Sequence, residues 1–179
     1  MPHGLKKRPQ DGGPKEMNKL NELLDRAYNN GIEIIENFEL ESDADAMLND
    51  DVIGLSPKVQ TQVAAKCALA EELSHFEHNV GNILDMKDTK ARQQEYRARK
   101  EAIFDIIKPE DLIRAFEHHI SNFFEMAEHL EVTEKFLYEA LSVYKQHYGQ
   151  IMMYEDYMIS FEPFYVAQNF NYTPYELNE

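Results

Sequence analysis

The chain has 179 residues, 43% hydrophobic and 28% charged, enough for a globular protein with a real hydrophobic core. Thirty-three Asp and Glu against 18 Lys and Arg give a formal charge of -15, so the average field repels a phosphate backbone and favours a basic protein partner or substrate segment. No apolar run reaches bilayer length, the basic N-terminus lacks the apolar stretch of a secretory signal, and the single cysteine, Cys67, excludes an intrachain disulfide; a cytoplasmic protein without membrane contact is expected.

Residues 1–16, rich in Gly, Pro and Lys, predict a disordered leader. Leu20, Leu23, Leu24 and Ala27 recur at helical spacing and predict a helix from about Lys15 to Asn30, stopped by Asn29-Asn30-Gly31. Short β-branched runs predict strands at 32–36, 44–48 and 52–55, the last two joined by a turn at Asn49-Asp50-Asp51. Ser56-Pro57 carries the signal of a helix start, with serine as N-cap and proline at the first helical position. The helix it opens is expected to run to about Asn79, followed by a loop through Gly81 and Asp85. A long charged helix is predicted from about Asp88 to Ile107, ended by Pro109, then helices near 110–120, 122–130 and 133–147, closing at Gly149. The fold class expected is α+β, mostly helical, with a small antiparallel or mixed sheet. Residues 150–179 differ in composition: eight aromatics, five acids and no Lys or Arg, read as an added helix or strand covering apolar surface.

The helix over 57–79 holds the residues with chemical interest. Glu71 and His75 are four apart, so a carboxylate and an imidazole stand on one helix face and can reach one ion. Glu72 lies beside them, where a general base toward an ion-bound water would stand, as the glutamate does in HExxH enzymes. Zinc accepts carboxylate oxygen, so glutamate in the first ligand position is chemically allowed. The same spacing also describes a solvated helix end. His78, three residues after His75, is either an additional ligand or a supporting histidine.

The segment Leu69-Ala70-Glu71-Glu72-Leu73-Ser74-His75 resembles the metal helix of the ImmA/IrrE metallopeptidases of phages and mobile elements in Gram-positive bacteria, where Glu-Glu can replace His-Glu. The segment 92–116 (RQQEYRARKEAIFDIIKPEDLIRAF) is similar to that family's second helix, and 123–149 to its C-terminal helices. The resemblance spans about Asn18 to Gly149 and implies a zincin-like domain over 17–149, with 150–179 as an extension. It implies Glu71, His75 and Glu95 as zinc ligands, with another divalent ion such as manganese tolerated, and Glu72 as base. The stripe Glu95, Ala98, Ala102 would let the second helix approach the metal helix closely. Tyr96, His118 and His119 are candidates for stabilising an oxyanion. The resemblance further implies a zinc endopeptidase that cleaves a helix-turn-helix repressor. The alternative is a protein that keeps the fold without the chemistry and acts as an antirepressor or inhibitor by contact. Glu95 and Arg99 are also spaced for an ordinary surface ion pair.

Residues 122–149 themselves look like a helix-turn-helix, with Leu130-Glu131-Val132-Thr133 as the turn. Residues 109–149 nevertheless carry eight acids against three Lys or Arg. A DNA-reading helix meets phosphates with basic groups, so direct DNA binding is not expected and these helices are read as packing and docking elements.

Overall fold

The computed structural model describes residues 19–78 and 89–168. It is α+β and predominantly helical, with two small three-stranded sheets. The chain divides into two units, residues 1–106 and 107–179. The leader, the loop through Gly81 and Asp85, and residues 169–179 lie outside the described residues.

In the first unit, α1 (Lys19–Asn29) buries Leu23 and Ala27 completely, as its apolar spacing requires. It ends because Gly31 adopts a left-handed φ of 76°, which lets Gly31 N–H reach the Tyr28 carbonyl at 3.0 Å and Ile32 N–H the Ala27 carbonyl at 2.9 Å. β1 (Glu33–Ile35) follows, then β2 (Ala46–Asn49) and β3 (Val52–Leu55). β3 is central, parallel to β1 and antiparallel to β2, so the sheet is mixed. Asp50 turns the β2–β3 hairpin with a φ of 53°, a conformation that short polar side chains tolerate.

Ser56-Pro57 does not start a helix. Ser56 is buried and its N–H is bound to the Asp45 carbonyl at 2.9 Å, while its own carbonyl accepts from Val59 in a turn. The next helix, α2 (Gln62–His78), begins after Thr61, whose hydroxyl accepts Ala64 N–H at 3.1 Å. α2 packs on β2, β3, α1 and α3 (Thr89–Ile106). Leu69 and Leu73 of α2 are fully enclosed in one core with Leu23 of α1 and Ile53 of β3. A clamp of ion pairs crosses the surface of that core. Asp105 of α3 meets Lys19 at 2.7 Å and Arg26 at 2.5 Å, and Arg26 also meets Glu77 of α2 at 2.7 Å.

In the second unit, Pro109 is the first residue of α4 (Pro109–Glu117), where its missing N–H costs no bond, and Asp111 accepts the Lys108 N–H at 2.7 Å. Asn122 and Thr133 cap α5 (Phe123–His129) and α6 (Glu134–Tyr148), accepting Glu125 N–H at 2.8 Å and Phe136 N–H at 3.1 Å. Residues after Gly149 form an antiparallel meander, β4 (Ile151–Tyr154), β5 (Tyr157–Phe161) and β6 (Phe164–Gln168). Its register aligns Met152, Ile159 and Val166, all buried on one face. The enclosed Tyr144 of α6 stacks on Phe161 at 5.5 Å and donates its hydroxyl to the Ile107 carbonyl at 2.7 Å. Among the described residues no helix is long and apolar enough to cross a membrane.

Candidate functional site

The site is made where α2 and α3 approach. Ala98 and Ala102 of α3 are 0% and 2% exposed, and Ser74 of α2 donates its hydroxyl to the Ala98 carbonyl at 2.6 Å. A serine reaches a backbone carbonyl of a neighbouring helix only where small residues let the helices come together, so the alanine stripe sets the spacing.

At that spacing His75 Nδ1 lies 3.6 Å from Glu95 Oε2, with side-chain exposures of 20% and 28%. Glu95 Oε1 lies 3.4 Å from Arg99, one turn further along α3. One oxygen of Glu95 therefore faces the histidine and the other the surface guanidinium. Glu72 points to the sheet. Its Oε2 accepts the Leu48 N–H at 2.9 Å. β2 is an edge strand, so N–H groups on its outer side have no strand partner, and the carboxylate takes one of them. Burial, the largest influence, pushes the Glu72 carboxyl above its ordinary value. His75 and the Leu48 N–H pull it down, Glu95 pushes it up again, and the net shift is upward. A carboxyl held above its ordinary value is a stronger base than a solvated glutamate. Glu71 is half-buried, one residue earlier on α2.

Zinc holds imidazole nitrogen at about 2.0–2.1 Å and carboxylate oxygen at about 2.0–2.2 Å, so two donors on one ion stand roughly 3–4 Å apart. The His75–Glu95 separation falls in that interval, and the donor chemistry fits a borderline divalent ion. Among the described residues no three or more His, Cys, Asp and Glu side chains are gathered tightly enough to enclose an ion. The fold thus brings together two of the implied ligands.

His78 keeps other company. Its Nδ1 lies 2.9 Å from the Ser74 carbonyl, which can only accept, so that nitrogen carries the proton. It lines a cleft of about 440 Å³ with Lys19, Arg26, Ser74, Glu77 and Asp105, on the side of α2 that meets α1. Tyr96 is half-buried on α3, and His118 and His119 are exposed in the second unit.

Two participants had no signal in the sequence. The Leu48 N–H is a backbone group, and only the placement of β2 as an edge strand could have exposed it. The Lys19–Arg26–Asp105 clamp joins residues about 80 positions apart, as the 79- and 86-residue separations of its two contacts show. No family model matches the chain, and no curated protein or solved structure matches it.

Proposed function

We propose that this chain is a metal-dependent endopeptidase whose site lies between α2 and α3 beside the β2 edge. Its substrate class is a helix-turn-helix repressor of a phage or mobile element, met in the cytoplasm. The observation that carries the reading is the approach of His75 to Glu95 from separate helices, next to a carboxyl, Glu72, whose proton affinity is raised. The substrate class rests on the resemblance of 69–75, 92–116 and 123–149 alone. His75 and Glu95 would hold zinc or manganese, with Glu71 as the third donor that the resemblance implies. When bound, that ion supplies a Lewis acid for a peptide carbonyl.

The chain's own residues account for the proton. Glu72, fixed through one oxygen by the Leu48 N–H, accepts a proton from the attacking water and returns it to the leaving amine. The raised proton affinity favours the first half of that cycle, the uptake of the proton from water.

Cleavage of purified helix-turn-helix repressors is the direct test, with metal content measured beside it. Glu72→Gln is expected to keep metal and lose cleavage by about 10²–10⁴-fold. His75→Ala and Glu95→Ala are expected to lose both. A Glu72→Gln protein that cleaves at the wild-type rate would remove Glu72 from this role.

One feature favours a second reading, a non-catalytic antirepressor or inhibitor. Glu72 and Glu95 are already partnered within the fold, by Leu48 N–H and by His75 with Arg99. Repressor inactivation without cleavage, unchanged in Glu72→Gln, would support that reading.

A further inference from the structure

The second unit contains a histidine pair that the proposed function does not use. His118 is the C-terminal cap of α4 and His129 is the last residue of α5. The turn between the helices brings their rings to a centroid separation of 5.1 Å with a tilt of 49°. Both residues are exposed.

We infer that His118 and His129 form a second divalent-metal site, specific for borderline ions that prefer imidazole, such as zinc, nickel or copper. Three observations carry this. The first is distance. An ion bound to ring nitrogens at about 2.0–2.1 Å lies roughly 3 Å from each ring centre, so a tetrahedral angle at the metal sets the centres about 5 Å apart. The observed 5.1 Å agrees. The second is orientation, since tilted rings can direct nitrogens to one point and parallel stacked rings cannot. The third is the field. Each histidine sits at the C-terminal end of its helix, where carbonyl groups carry partial negative charge that favours a cation. Glu117, Glu125, Glu128 and Glu131 follow or flank the two positions along the chain and add to that field.

Among the described residues no third His, Cys, Asp or Glu completes this pair. The remaining positions on the ion therefore belong to water, which makes the site weaker than a structural zinc centre and readily exchanged. A bound ion would link the end of α4 to the end of α5 and fix the corner at 118–122. Ions that demand oxygen ligands, magnesium and calcium, have no claim on it.

The test uses the full-length chain carrying His75→Ala, so that the α2–α3 site cannot contribute. Zinc, copper and magnesium chlorides are titrated separately by calorimetry, and thermal melting is followed with and without zinc. Zinc and copper are expected to bind, copper more tightly, with magnesium silent and zinc raising the melting temperature. Adding His118→Ala or His129→Ala should weaken zinc binding at least tenfold and remove the thermal shift. Both side chains are exposed, so these variants retain the fold. Zinc binding that survives either substitution at full strength, or no zinc binding at millimolar concentration, overturns the site. Neither result touches the α2–α3 reading, which His75→Ala has removed from both arms.

Discussion

The two units solve the burial problem differently. The first encloses polar and charged groups: Ser56, Lys66 and Ser74 are all at most 5% exposed, and the Glu72 carboxyl is raised by its surroundings. Among the described residues of the second unit the one buried polar side chain is Ser160, whose hydroxyl is bound to the Pro163 carbonyl at 2.8 Å, and the other buried side chains are apolar or aromatic. Burying polar groups costs stability unless each is partnered. The first unit accepts this cost several times around one helix, whereas the second encloses an apolar core in which the Tyr144 hydroxyl is bound to the Ile107 carbonyl. The second unit's reactive groups lie instead on its surface, as the His118–His129 pair does.

Four substitutions test that contrast, beginning with the largest effect. Leu73→Ala in α2 and Leu137→Ala in α6 both empty a site that is 0% exposed, and each should cost about 2–5 kcal/mol in denaturant unfolding. The contrast predicts that only Leu73→Ala also disturbs the α2–α3 site, read as loss of metal binding to His75. Equal loss from both substitutions would contradict the division of labour.

Asp105→Asn comes next. Desolvation raises this carboxyl, but Lys19 and Arg26 outweigh it and the net shift is downward. The ionised group therefore stabilises the fold above the ordinary aspartate range, and that contribution is lost as the pH falls through the lowered value. The substitution should cost about 1–2 kcal/mol near neutral pH, a figure already reduced for the partial exposure of the three side chains, and the deficit should shrink in acid. A deficit that stays constant from neutral pH into acid would show that the clamp acts by packing alone.

The smallest effect has the opposite sign. Glu72 has a raised proton affinity in the fold, so its ionisation works against folding, and its contribution is favourable only below the ordinary glutamate range. Glu72→Gln keeps an oxygen for the Leu48 N–H and removes the charge. It should raise the melting temperature by a few degrees at neutral pH, with the gain disappearing as the pH falls below that range. A lower melting temperature at neutral pH would mean that the charge is welcome where it lies.

Legibility followed the range of the forces involved. α1 and its stop could be read because Gly31 and the leucine stripe act within a few residues. The β2–β3 hairpin could be read because its turn chemistry is local. Ser56-Pro57 misled because the segment closes a turn, Val59 N–H to the Ser56 carbonyl, while Ser56 N–H is bound to the Asp45 carbonyl, and the helix begins only at Gln62. The meander at 150–168 could be read only as an added element, since Met152, Ile159 and Val166 become one face only once the register is known. At the site, the i,i+4 placement of Glu71 and His75 was visible in the sequence. The approach of Glu95 was implied by the family likeness, and the Leu48 N–H could not be seen at all.

That backbone bond has a further consequence. An edge strand with open N–H groups is a template on which another chain can build, and proteins commonly guard such edges with charge. Glu72 occupies the Leu48 N–H from within the fold and sets a carboxylate against the outer side of β2. The side chain offered as the proton carrier is thus also the one that discourages unspecific strand addition at the same edge, and shortening it to alanine would open that edge to self-association.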